Sequence, residues 1–370
     1  MKHNNLITVV ADNRLMADTI AKAIGANTSL DGYYHGNGYA VTWTNGTVIE
    51  ATFKPDNSFV MSTDMDARLV YAHNFDFSMR DYDRLLGYRK SEQDIRQLET
   101  IKNLWKKSDK VVNAMYPSFE GECGFLNLYF FMSMPVKVHR AWLPVLTKQA
   151  VINAITRERS DIEAYEEWLE ECVLDHINRC SDETEDVQID EQSPLYDEDR
   201  KVTAGDEFEE DGLLISIVKD TPLYNTCSMF IAAEMEYGFS LYKTQQIALS
   251  LYAKKLISFP LVIQNGVPAS VWRYMKHNIR TLALNPKWGH LVDSSYKPSR
   301  RNNYSSGELI FDGYGIVTTG LHPTDLNRDE EKLYNLIVKR VIDAFRPDAE
   351  SPKNISGKSS KSNKTKAKTA

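Results

Sequence analysis

Apolar residues follow two rhythms through the first 155 positions. Short runs such as residues 6–10 (LITVV) and 110–114 (KVVNA) have the near-continuous apolar character of strands buried on both faces. Between them, apolar residues recur at three- and four-residue steps. Residues 15–24 form one such helix, stopped by Gly25, and residues 92–107 form a more polar one that leads into the strand at 110–114. Asn45-Gly46, between the stretches 40–43 and 47–51, predicts a hairpin. The alternation predicts a largely parallel sheet with helices on its faces. It also sets the turn after residue 114 at the carboxyl end of a parallel strand, where open α/β sheets place their ligand sites.

The pattern changes beyond Arg157. Ile162, Tyr165, Leu169, Val173 and Ile177 recur at helical spacing and predict an acidic amphipathic helix. Residues 181–199 then hold nine carboxylates and no lysine or arginine, which fits a solvated linker or an acidic arm that competes for a basic groove. Residues 226–237 and 241–254 read as two helices, with Gly238 as the left-handed stop of the first and Ser240 as the N-cap of the second. The expected units are residues 1–157, an acidic helix and linker at 158–212, a mostly helical unit at 213–349 and a basic tail at 350–370.

Composition adds limits. At 370 residues with 42% hydrophobic content the chain can bury a sizeable core. No apolar run approaches the ~20 residues of a membrane span, so a cytoplasmic protein without a membrane partner is expected. The cysteines Cys123, Cys172, Cys180 and Cys227 show no zinc spacing. The net charge of −7 argues against a generic nucleic-acid binder, but its distribution matters more than its sum.

Several segments carry a family resemblance. Residues 111–122, VVNAMYPSFEGE, resemble the A-x-D-P-D-R-E-G-E turn of the toprim module in type IA DNA topoisomerases, matching at Ala114, Pro117, Glu120, Gly121 and Glu122. Residues 9–15 (VVADNRL) are similar to the family's opening V-I-A-E-K-P-S, residues 36–43 (GNGYAVTW) to G-N-G-Y-x-V-T-W, and residues 135–155 to the segment that closes the module. Residues 222–260 resemble the stretch that leads to the family's nucleophilic tyrosine. The order and spacing are those of bacterial topoisomerase III-like proteins, in a degenerate and shortened form. The resemblance implies a toprim-like α/β N-terminal domain followed by a mostly helical remnant of the tyrosine-bearing region. With only the acidic stretch before residue 222 and a short span between Phe259 and Thr318, no closed strand-passage gate is expected.

The resemblance also implies a chemistry, and the residues depart from it. Tyr116 and Ser118 stand at the two metal-binding aspartates, Phe119 at the arginine, Asp12 at the first glutamate and Asn13 at the lysine. The tyrosine of T-Y-P-R-T-D-S is Phe259, and its arginine is Leu261. Phe259 has no hydroxyl to attack phosphorus. The histidine segment A-H-H-A-I-I-P-T is similar to residues 317–324, where Thr318 and Thr319 hold the histidine positions and cannot titrate near neutrality. No cofactor is therefore expected; magnesium would matter only if activity persisted, with Asp12, Glu120 and Glu122 as residual donors. The expectation is an isomerase-like scaffold that is catalytically inactive and binds DNA or a partner. Alternatives are an active magnesium-dependent topoisomerase with a rearranged site, or a protein-interacting subunit.

What remains is binding chemistry. Residues 271–303 interleave Arg273, Lys276, Arg280, Lys287, Arg300 and Arg301 with aromatic residues that include Trp288. Cations for phosphates and rings for bases suit a single-strand groove, although the same residues also fit a helix with core aromatics and solvated charges. The tail adds six lysines and no acid over 353–370. Single-stranded DNA is the expected ligand, and an intact topoisomerase or a helicase the alternative partner.

Overall fold

The valine-rich runs at residues 7–11 and 110–113 are apolar on both faces because helices cover both sides of the sheet they enter. The structure is a computed structural model that describes residues 6–46, 48–54, 66–83, 88–89, 91–157, 162–185, 222–292, 296, 298–299, 311 and 313–346. The first part of the chain contains β1 (Ile7–Ala11), α1 (Arg14–Ile24), β2 (Thr28–Leu30), β3 (Tyr33–Gly36), β4 (Tyr39–Trp43), β5 (Ile49–Phe53), α2 (Ala67–Asn74) and β6 (Phe75–Met79). It continues through β7 (Tyr82–Asp83), β8 (Tyr88–Arg89), α3 (Glu92–Trp105), β9 (Lys110–Asn113), α4 (Phe119–Met132), β10 (Val138–Arg140), α5 (Lys148–Thr156) and α6 (Ile162–Glu185). The second part is α7 (Thr226–Tyr237), α8 (Leu241–Ala253), α9 (Ala269–Ala283), α10 (Pro286–Gly289) and α11 (Arg328–Ala344).

The main sheet has six strands in the order β10-β9-β1-β4-β3-β2. β1 runs parallel to both β4 and β9, and β9 parallel to β10; β3 and β2 are antiparallel. Val9 and Val112 pack with α1 on one face, while Val10 and Val111 pack with α3 and α4 on the other. The carboxyl ends of β1, β9 and β10 therefore point the same way and open onto one site.

The hairpin expected from Asn45-Gly46 does not form. Both residues have positive φ, 57° and 86°, as the turn signal requires. β4, however, already has β1 on one edge and β3 on the other, so no edge is free for the strand that follows. β5 pairs instead with β6 in a separate two-stranded sheet.

The expected acidic helix is α6, and it continues past Ile177 to Glu185. Tyr165, Leu169, Val173 and Ile177 are buried against α2 and β6, whereas Ile162 is exposed. Further on, Gly238 (φ 64°) ends α7 and Ser240 caps α8 by accepting from the Lys243 N–H. A single core runs from β1, α1 and α5 into α7, α8, α9 and α11. Thr19 Oγ1 on α1 donates to the Ala253 carbonyl at 2.8 Å, tying the two parts together. Most of the expected linker (186–212) and the tail (350–370) lie outside the described residues. Among the described residues, no helix is long and apolar enough to cross a membrane.

Candidate functional site

The turn after β9 sits where the carboxyl ends of β1, β9 and β10 meet. Asp12 and Asn13 close β1. Asn13 caps α1 by accepting from the Met16 N–H, and its Nδ2 donates to the Tyr116 hydroxyl at 2.7 Å. The Asp12 carboxylate accepts the Tyr116 backbone N–H. Asp12 and Asn13 therefore both bind Tyr116.

Ser118 caps α4 through an Oγ that accepts from the Gly121 N–H at 3.3 Å. Gly121 permits the tight turn, because a Cβ there would lie 2.2 Å from the Tyr116 carbonyl oxygen. Glu120 points to solvent in the first turn of α4, where a negative charge favours the helix N-terminus. Glu122 points inward and is buried. It pairs with the equally buried Arg140 from the end of β10, and its second oxygen accepts from the Tyr165 hydroxyl at 2.8 Å and Asn113 Nδ2 at 3.2 Å.

Arg140 has the fuller set of partners. Its guanidinium donates to the carbonyls of Asn113, Met115, Tyr116 and Ala141 at 2.8–3.1 Å and lies over the Trp142 ring at 4.6 Å. Arg140 lies in the matching segment 135–155, but nothing local joins it to its partner Glu122, 18 residues away. Its place at the carboxyl end of a parallel strand is the signal that could have marked it.

This donor set does not fit a magnesium ion. Such an ion takes several converging hard oxygens. Here Glu122 is committed to Arg140, Glu120 faces away, Ser118 caps a helix, and a guanidinium lies among the candidates. The Asp12 carboxyl is pushed up to about 7 by burial, with the Glu122 charge adding to the rise; the Tyr116 N–H and the Arg140 charge oppose it. Among the described residues, no three His, Cys, Asp or Glu side chains converge as a metal site would require.

Phe259 arrives from the second half of the chain and packs directly on this turn. It is 3% exposed, and its N–H donates to the Pro144 carbonyl at 2.8 Å. Its ring lies 5.2 Å from Tyr116 and 5.5 Å from Tyr252 between centroids. The space beside Phe259 is about 10 Å³, lined by Pro117, Ser258 and Tyr314 among others, about one water's worth. Tyr252 is fully buried, its hydroxyl donates to the Leu143 carbonyl, and burial pushes that hydroxyl well above the ordinary tyrosine range. Leu261 packs half-buried on the same core.

Thr318 is buried nearby, its carbonyl accepting from Asn278 Nδ2 at 3.0 Å, while its Oγ1 has no partner among the described residues. It lines a cleft of about 390 Å³ between α5, α9 and residues 314–319, with Asn153, Tyr274 and Asn278 among the other walls. Thr319 Oγ1 is tied to the Lys255 carbonyl at 2.6 Å, and His322 is exposed.

The basic stretch divides. Arg273, Lys276 and Arg280 are exposed at i, i+3 and i+7 along α9, and none pairs with a carboxylate among the described residues. Tyr274, on the side of α9 that lines the cleft, is 69% exposed. Lys287 pairs with Glu331 at 2.6 Å. Trp288 is 4% exposed, donates to Asn335 Oδ1 at 3.1 Å and packs edge-on to Tyr334, so its ring belongs to the core. Arg300 and Arg301 lie outside the described residues.

Comparison with known proteins finds similarity to DNA topoisomerases. The family described as DNA topoisomerase matches residues 215–369. DNA topoisomerase 3 of Shouchella clausii is 20% identical over 411 aligned positions, covering 93% of this chain and 55% of that protein. DNA topoisomerase 1 of Methanothermobacter thermautotrophicus is 37% identical over 114 residues, 30% of this chain and 15% of that protein. The full-length topoisomerase I structure from Thermotoga maritima matches at 16% identity with a TM-score of 0.50, over 92% of this chain and 61% of that one. The chain thus spans about half or less of the length of these two curated relatives.

Proposed function

We propose that this chain, a type IA topoisomerase-like protein, binds single-stranded DNA without cutting it, on a scaffold whose first 157 residues are toprim-like. The observation that carries the proposal is the closure of the site: the Phe259, Tyr116 and Tyr252 rings pack on one another where a nucleophile, a metal and a phosphate would meet. A scissile phosphodiester has no room among these packed rings, and Phe259 offers it no oxygen. Losing several such groups together removes many orders of magnitude in rate. Neither a magnesium requirement nor a cofactor follows from the remaining donors.

The binding half of the proposal rests on α9. Three cations on one helix face, without carboxylate partners among the described residues, match a surface that meets phosphates, and the exposed Tyr274 ring, roughly a quarter turn round the helix, could stack a base. Tyr274, unlike the three cations, lines the cleft that holds Thr318. A protein-partner role has its own support in the exposed apolar residues Ile231, Met235 (83% exposed), Leu241 and Tyr242 on α7 and α8.

Fluorescence anisotropy with a labelled single-stranded oligonucleotide, run beside relaxation of supercoiled plasmid in magnesium, tests both halves. Salt-sensitive binding without relaxation is expected. Relaxation by protein freed of host topoisomerase would overturn the non-catalytic half. Affinity no better than millimolar at low salt would end DNA binding in favour of a protein partner.

A further inference from the structure

The cleft between α5, α9 and residues 314–319 has a chemistry that neither the closed turn nor the cationic face uses. It measures about 390 Å³, within the range of small-molecule sites, and none of the described residues that line it is charged. Val271, Tyr274, Met275 and Asn278 recur at i, i+3, i+4 and i+7 along α9, so one stripe of that helix faces the cleft. At 3.6 residues per turn, Arg273, Lys276 and Arg280 fall on the opposite side of α9 from that stripe.

The walls combine two kinds of surface. Met275 and Val317 are buried and apolar, and the exposed Tyr274 ring stands at the rim. Asn153 on α5 and Asn278 on α9 bring amides. Each uses one amide atom within the protein and keeps the other: Asn153 Oδ1 accepts from Gln149 Nε2 at 2.9 Å, and Asn278 Nδ2 donates to the Thr318 carbonyl at 3.0 Å. Thr318 is fully buried, and its hydroxyl has no partner among the described residues. An unpaired buried hydroxyl is costly, and a ligand that bonds to it removes that cost.

We propose that this cleft binds an uncharged nucleobase, its flat face against the apolar wall and its polar edge toward Asn153, Asn278 and Thr318. Amides and hydroxyls match the mixed donors and acceptors of a base edge, and the apolar wall matches its face. A phosphate finds no cation in the cleft, and burying one there is costly. A free nucleoside and an unstacked base of a strand present the same chemistry. The site does not depend on strand binding by the α9 cations, which lie on the other side of the helix.

Isothermal titration of the full chain with adenosine, cytidine and thymidine tests the proposal. At least one binds with submillimolar affinity, and its 5′-monophosphate binds at least tenfold more weakly. Asn153→Leu, at a half-buried position on α5, weakens the nucleoside at least tenfold. Thr318→Val, which removes the hydroxyl with nearly the same shape, also weakens it; if that variant fails to fold, Asn153→Leu carries the test. Arg273→Ala with Lys276→Ala lowers affinity for single-stranded DNA and leaves nucleoside affinity unchanged, so the two proposals fail separately. Displacement of the nucleoside by a single-stranded trinucleotide identifies a strand base as the occupant; absence of displacement identifies the free nucleoside. No nucleoside binding at millimolar concentration, equal affinity for nucleoside and monophosphate, or binding unaffected by Asn153→Leu would overturn it.

Discussion

Glu120 and Glu122 are two residues apart, yet they do opposite things. Glu122→Ala leaves the Arg140 charge buried without its partner and should cost about 3–5 kcal/mol. Glu120→Ala removes only a solvated charge near a helix start and should cost under about 1 kcal/mol. Urea denaturation of the two variants checks this contrast. The turn is legible in the sequence because Gly121 and Ser118 act locally, through a close approach to Tyr116 and an N-cap. The buried pair is not, because it joins the end of a strand to a helix through space. Asp12 carries a pH signature. Its carboxyl rises from 3.8 to about 7, so the folded chain holds this proton more tightly than the unfolded chain does. The folded state therefore loses relative stability as pH climbs through that interval, and the penalty is complete above it. Asp12→Asn should raise the melting temperature at pH 8 and change it little at pH 4, where the folded carboxyl and the amide are both neutral. Equal shifts at both values, read from thermal melts, would contradict this origin.

Among the elements, helices with caps are the most legible part of the sequence. The stop at Gly238 and the cap at Ser240 are local signals, and the expected bounds of α7 and α8 hold to within one residue. The strand after Asn45-Gly46 is not legible, because turn chemistry fixes a bend and not which neighbour a strand finds; the free edge belonged to β6. The basic stretch is legible only in part for the same reason. Helical spacing places Arg273, Lys276 and Arg280 on one face, but charge alone does not tell Lys287, paired with Glu331, from a cation left for a ligand. The triple change of Arg273, Lys276 and Arg280 to Ala should lower the slope of log K against log salt for single-stranded DNA by about 2, near 0.7 for each phosphate no longer neutralised. Lys287→Ala should leave the slope nearly unchanged. Anisotropy titrations over a range of salt measure both.

At the scale of the whole molecule, the two parts of the chain meet on one core. The Phe259 N–H and the Tyr252 hydroxyl both reach residues 143–144 between β10 and α5, and Thr19 reaches Ala253 from the other side. The fold brings residues 12, 116 and 259 to one place, and packed rings fill it. A nucleophile alone does not reopen it. The most direct measurement is covalent capture: labelled single-stranded DNA is incubated with the protein in magnesium, denatured and run on a gel, for the natural chain and for Phe259→Tyr. Neither should give a protein-linked band, because the restored hydroxyl would still lack converging metal donors and space for a phosphate. A magnesium-dependent covalent band from either protein would contradict a closed, non-catalytic site.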